Sequence, residues 1–320
     1  MSTANFVPET WDRTGDDARK TLASTGRVRL AGDAFRRLRA ADGFSHARSL
    51  AFVSALAILQ GVIAVVGLAS DLGNGSASDL IVRTLREASP GPAGRILTQA
   101  VDQAHRAGAS NRHVALIVGL VGAIISGATF MGQLERGMNR LYGIERDRPT
   151  ARKYGRALLL AITAGALATA AFTAIALGGS VSSSIGSHTA ARVWDWIRWP
   201  LGLVLMIAAV AMLFRWAPRR RQPDWSWLAL SAMGSVLLWI LVTVLLGIFL
   251  DHSSTFGQTY GPLAGMVALL LWSLLSSIAL LYGAAAGAQL EAVRAGVPSP
   301  TGAGRSGNES SERVDRPRVA

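Results

Sequence analysis

Apolar runs broken by short basic or glycine-rich segments set the pattern of this chain. Six of them are long enough to cross a bilayer, at about 49–70, 114–134, 157–178, 200–217, 226–250 and 263–287. A helix rises about 1.5 Å per residue, so roughly 20 apolar residues span the ~30 Å hydrocarbon core. The pattern predicts an all-α integral membrane protein with six transmembrane helices, occupying residues 48–293. The second run is the sharpest. Val114 to Leu134 carries no formal charge, and Arg136, Arg140, Arg146 and Arg148 follow at once. Trp194, Trp196 and Trp199 precede the fourth run as an interfacial aromatic belt. Pro200 fits the first turn of that helix, and Pro218 ends it.

Outside the runs, residues 1–47 form a polar N-terminal segment that becomes basic and amphipathic. From Arg27 to Arg39, Val28, Ala31, Phe35 and Leu38 recur at spacings of three and four, with Arg29, Arg36, Arg37 and Arg39 mostly off that face. Two placements suit such a helix: the lipid interface, with arginines among headgroups, or packing on the protein's own cytoplasmic loops. Residues 71–113 hold two amphipathic pieces, Leu80–Ala88 and Ile96–Ala104, separated by Pro90-Gly91-Pro92. They predict a small two-helix extracytoplasmic element between spans one and two. Residues 294–320, rich in Gly, Ser and Pro, predict a disordered cytoplasmic tail.

Charge sets the orientation. Six spans place both termini on one side. Of the 32 Lys and Arg residues, 25 fall in the two terminal segments and the 135–156 and 215–225 loops, and seven in the other three loops. The positive-inside rule puts the 25 in the cytoplasm. The net charge of +12 therefore belongs to topology, and no nucleic-acid partner is expected. The composition agrees: half the residues are apolar and 16% charged, below the ~25% of soluble domains. The absence of cysteine excludes disulfides, thiolate catalysis and Cys-bound metals. The five histidines show no metal-ligand spacing, and neither a P-loop nor a G-x-S-x-G elbow occurs. No metal or cofactor is expected, and no enzyme activity.

Candidate residues come from helical spacing. Gly119, Gly122, Ser126, Thr129, Gln133, Arg136 and Arg140 follow one another at alternating spacings of three and four, which places them on one stripe of span two. Such a stripe suits a cavity whose arginines take a phosphate or carboxylate headgroup, or close packing through small residues. Glu135 and Asn139 form an i, i+4 pair on a neighbouring face. Glu291 has the depth to meet Arg136 or Arg140 in an ion pair joining spans two and six. Ser273, Ser276, Gly283 and Gly287 share a face of span six, where packing is the expected role. Gln60 lies deep in span one, where an interhelical hydrogen bond is expected before a ligand site.

Two motifs are familiar. Asn139-Arg140-Leu141-Tyr142-Gly143, followed by Arg146 and Arg148-Pro149, resembles the loop after the second span in the YihY/BrkB family. Tyr260-Gly261-Pro262-Leu263-Ala264-Gly265, then Leu271-Trp272, Gly283 and Gln289-Leu290-Glu291, is similar to that family's last-helix signature. The likeness covers residues 45–293. The chain departs from it in span one, where Phe52-Val53 and Gln60-Gly61 stand in place of an aromatic pair and a proline. The resemblance implies a six-helix protein of the bacterial inner membrane. Members have been labelled ribonuclease BN, virulence factor or transporter-like. The expected functions are transport or scrambling of a lipid or amphipathic anion, or a non-catalytic scaffold or envelope-assembly partner. Membrane lipids are the expected partners; the sequence does not give the oligomeric state.

Overall fold

The computed structural model describes residues 4–71, 92–145, 150–176, 188–253, 256, 259–260 and 263–301. It is all-helical apart from connecting segments. The helices are α1 (Gly15–Thr25), α2 (Arg27–Ala40), α3 (Gly43–Asp71), α4 (Pro92–Leu141), α5 (Thr150–Ala176), α6 (His188–Trp216), α7 (Trp225–His252) and α8 (Ala264–Arg294). By length and composition, Arg192–Trp216, Trp225–His252 and Ala264–Arg294 are able to cross a membrane.

Helices α3 to α8 contact one another in chain order, and α8 closes the ring on α3. Helix α8 also touches α1, α2 and α4. It is the hub because its second half is built of small residues, among them Gly283, Ala284, Ala285, Gly287 and Ala288. Small side chains let neighbouring backbones approach closely, which is how helices associate where lipid removes the hydrophobic drive.

The α7–α8 contact shows this as an antiparallel ladder. A Cβ on Gly283 would overlap Ser235, and one on Gly287 would lie 2.6 Å from Ser231 Oγ. Ser235 Oγ donates to Ala279 O at 3.2 Å. Further along, Trp239 Nε1 donates to Ser276 Oγ at 3.0 Å, and Trp272 Nε1 to Thr243 Oγ1 at 3.1 Å. Residues 231, 235, 239 and 243 thus present one α7 face, each rung four residues after the last.

Three expectations change. Helix α4 is one rod of 50 residues, about 75 Å long, rather than a 21-residue span behind a separate element. The Ile96–Ala104 piece is continuous with the second apolar run. The Leu80–Ala88 piece lies outside the described residues. Helix α6 begins at His188, so Pro200 sits inside it rather than at its first turn. Trp196 and Trp199 are exposed there.

Helix α2 turns inward an arginine, Arg37, that was expected off its packing face. It buries Leu30, Ala34, Arg37 and Leu38 and leaves Val28 and Phe35 exposed. An arginine turns inward because partners wait for it: α2 packs on α8, and Gln289 of that helix meets Arg37. Helix ends are set locally. Gly26, with φ 84°, breaks α1 from α2, and Asp17 accepts from the Thr14 backbone N–H and hydroxyl at the start of α1. The Asp224 carboxylate caps α7 by accepting from Ser226.

Candidate functional site

The loop motif after α4 and the closing Gln289-Leu290-Glu291 of the last-helix motif converge at the end of the bundle that holds the first and last described residues. Helix α4 stops at Leu141, and Gly143, with φ 72°, turns the chain where the Phe6 backbone passes; a Cβ there would lie 2.7 Å from Phe6 Cα. Only glycine fits that turn without strain. Residues 4–14 run as an extended strap across the ends of α4 and α8. Val7 N donates to Tyr142 O at 3.2 Å, and Asn5 N to Pro300 O at 3.3 Å.

Beneath the strap lies Glu291, fully buried. Its Oε2 accepts from Arg220 Nη2 at 2.9 Å and from Thr10 Oγ1 at 2.8 Å, and its Oε1 from Tyr142 Oη at 3.1 Å. Arg220 also donates to Val7 O and Pro8 O, and its guanidinium lies 4.4 Å from the Tyr142 ring centroid. Burial pushes the Tyr142 phenol well above its usual range, so it stays protonated and donates. The ion-pair partner of Glu291 is therefore Arg220, from the segment between α6 and α7, and not Arg136 or Arg140. Those two are exposed and half-buried, respectively, on α4.

A second buried cation sits beside this pair. Arg37 Nε donates to Gln289 Oε1 at 2.7 Å, and its Nη1 to Asn5 O and Leu141 O, both at 3.0 Å. Burial lowers its pKa to about 10, still protonated at neutral pH. Gln289 in turn donates to Pro298 O at 2.6 Å. Residues 297–301 are thereby held against the strap, within the segment expected to be disordered; residues 302–320 lie outside the described residues. Asn139, also fully buried, accepts from Arg219 N at 2.8 Å. Glu135 is buried one turn earlier. A cavity of about 300 Å³ lies between strap and loop, lined by Phe6, Val7, Glu9, Ile144, Arg219 and Arg220.

The α4 stripe divides in two. Its outer half faces α3: Ser126 Oγ donates to Gln60 Oε1 at 2.6 Å, and a Cβ on Gly122 would lie 2.9 Å from the Gln60 amide. Gln60 thus occupies the space the glycine leaves. The second half is less covered: Thr129, Gln133 and Arg140 are half-buried and Arg136 is exposed, beside the exposed Ile125 one turn before Thr129. Thr129 Oγ1 donates to Ile125 O at 2.7 Å.

Trp272 lies in the α7–α8 ladder, and Tyr260 is exposed with its ring 4.9 Å from that of Phe256. Arg146, Arg148 and Gly261 lie outside the described residues. Sequence reasoning missed Arg220, Thr10 and the inward turn of Arg37. A weak signal existed for the last: Leu30, Ala34, Arg37 and Ala41 share a face as regular as the one chosen.

Among the described residues no group of three or more His, Cys, Asp or Glu side chains comes together to hold a metal. The long apolar helices and the architecture define a multi-pass α-helical membrane protein. Residues 34–306 match the family model described as virulence factor BrkB, and the chain belongs to that family. It is 22% identical over 258 residues to the "putative ribonuclease-like protein YfkH" of Bacillus subtilis (strain 168), covering 78% of this chain and 90% of that protein. No solved structure matches the chain.

Proposed function

We propose that this chain is a six-span protein of the bacterial inner membrane, with both termini in the cytoplasm, that moves a lipid or amphipathic anion between leaflets along the outward face of α4. One observation carries the reading. Ile125, Thr129, Gln133 and Arg136 lie within about 80° of one another around α4, exposed at Ile125 and Arg136 and half-buried between, so an apolar surface grades into a polar, basic one. Polar groups on a membrane helix are costly and usually mark a path or a partner. Arginine at its end offers a planar, two-pronged contact to phosphate. The exposed Val28 and Phe35 of α2 fit a helix resting on the same interface.

The test is lipid and anion movement in reconstituted vesicles. Gln133→Leu and Arg136→Ala should slow it at least severalfold while insertion stays normal, and Arg140→Lys should give a partial defect. Normal movement in the first two places the path elsewhere. Orientation is tested separately, because the chain lacks cysteine. A cysteine at Ser253 should react with an impermeant thiol reagent from outside intact cells, and one at Thr150 should not.

A second reading, a non-catalytic scaffold or envelope-assembly partner, draws on Gln60 filling the space at Gly122, which makes the outer half of the stripe a helix contact. Absence of movement with any lipid or anion in the unaltered protein would favour it. The ribonuclease name belongs to the relative. Metal-dependent RNA cleavage needs clustered acids or histidines, and we take this chain not to be an enzyme.

A further inference from the structure

A groove of about 390 Å³ lies between the first turns of α1, α6 and the start of α7. Its mouth is polar, with Thr14, Asp16, Arg19 and Ser226 on the rim, and its floor is apolar, with Ile207, Leu230 and Met233. The floor does not end at the groove. Met233, Leu237, Leu241, Val244 and Ile248 are exposed at spacings of four, four, three and four, one stripe about 22 Å long down α7. Both α6 and α7 are long and apolar enough to span. The groove therefore has its polar mouth where headgroups lie and its floor on the hydrocarbon side.

The charge at the mouth selects among headgroups. Arg19 Nη1 and Asp16 Oδ1 are 3.9 Å apart, and both side chains are more than 80% exposed. Such a pair is weakly held in high dielectric and opens readily to other partners. The α1 N-terminus is not an anion trap. Gly15 N donates to Ser226 Oγ at 2.8 Å, and Asp16 and Asp17 offset the positive end of the helix dipole. A purely anionic headgroup would meet Arg19 but also face Asp16. A headgroup with phosphate and ammonium satisfies both.

We propose that this groove is a binding site for a zwitterionic phospholipid, with its phosphate on Arg19, its ammonium on Asp16 and one acyl chain along the Met233–Ile248 stripe. The site rests on the reading that α6 and α7 cross the membrane, and it holds whether or not the protein moves lipid along α4. Gly15 matters to its shape: a Cβ there would lie 2.9 Å from Ser226 Cβ, so the glycine lets α1 close on α7.

The experiment is native mass spectrometry of the full chain, released from detergent after titration with phosphatidylethanolamine or phosphatidylglycerol of matched acyl chains. The unaltered protein should retain the ethanolamine lipid about threefold better, the scale of one exposed ion pair. Arg19→Ala should lower retention of both lipids severalfold. Asp16→Asn should lower the ethanolamine lipid to the level of the glycerol lipid. Met233→Trp, which fills the floor, should lower both. The two rim side chains are exposed, so their variants keep the fold, which size-exclusion elution and thermal stability confirm. Equal retention of the two lipids by the unaltered protein, a preference for the anionic lipid, or rim variants that retain lipid as well as the parent would each overturn the site. Retention is read without movement, so a failure of transport along α4 and a failure of this site remain distinguishable.

Discussion

At the scale of the residue, the buried Arg220–Glu291 pair decides how this end of the bundle responds to change. Their side chains are 2% and 0% exposed. Removing one partner of such a pair leaves an uncompensated buried charge and costs about 3–5 kcal/mol. Arg220→Met and Glu291→Gln should each lower stability in detergent on that scale. The double variant should cost much less than the two together, because it leaves no orphan charge. Additive losses in a double-mutant cycle would show that the contact carries no coupling. Glu291 was legible from sequence as an ion-pair candidate at the end of the last helix. Its partner was not, because Arg220 lies 71 residues away in a run of three arginines that nothing in the sequence separates. Arg37 misled for a related reason. Periodicity assigns an arginine to the solvent face, and only the backbone carbonyls of Asn5 and Leu141 with the Gln289 amide, supplied from three other places, reverse that assignment.

At the scale of the element, the α7–α8 ladder makes a size-exchange prediction. A methyl at Gly283 meets not only the Ser235 hydroxyl but its Cβ at 2.8 Å and its Cα at 3.0 Å, so rotation of the serine side chain does not relieve it. Gly283→Ala should therefore lower the melting temperature by several degrees. Ser235→Gly should cost little beyond a glycine in a helix, about 1 kcal/mol, and the double variant should recover part of the Gly283→Ala loss. A double variant no better than the sum of its parts would mean that the helices do not meet there. The two glycines of α8 were readable as a packing face, because small residues four apart are a local signal. The matching serines of α7, Ser231 and Ser235, carry the same four-residue spacing, but spacing alone does not say which helix a small-residue face meets. The length of α4 was hidden differently. A span is recognised by hydropathy, and the polar residues before Val114 end the hydropathy signal without ending the helix.

At the scale of the whole molecule, the strap joins parts of the chain that are farthest apart in sequence. Between Asn5 and Arg13 it bonds to Tyr142, Arg220, Glu291, Asp224 and the segment from Ser299 to Thr301. No periodicity marks it, since an extended segment held by backbone groups leaves no pattern in side chains; its partners exist only once α4, α8 and the α6–α7 segment have assembled. Helical class and apolar runs were legible because they are local, and the strap was not because it is entirely tertiary. Its role as a cover is testable in a chain without cysteine. Ala288 is fully buried in a cluster with Val7, Tyr142 and Ala292. A cysteine at Ala288 should resist a soluble maleimide in the intact chain. Deleting residues 2–12 removes Val7 and Thr10 and uncovers both Ala288 and Glu291, so labelling should accelerate at least tenfold. A cysteine at Ala232, fully buried in the main core beside Leu228, Leu281 and Ala285, should stay protected in both forms. Acceleration at Ala288 with protection at Ala232 identifies local uncovering rather than unfolding. Equal, slow labelling at Ala288 with and without the segment would show that the strap does not seal this end of the bundle.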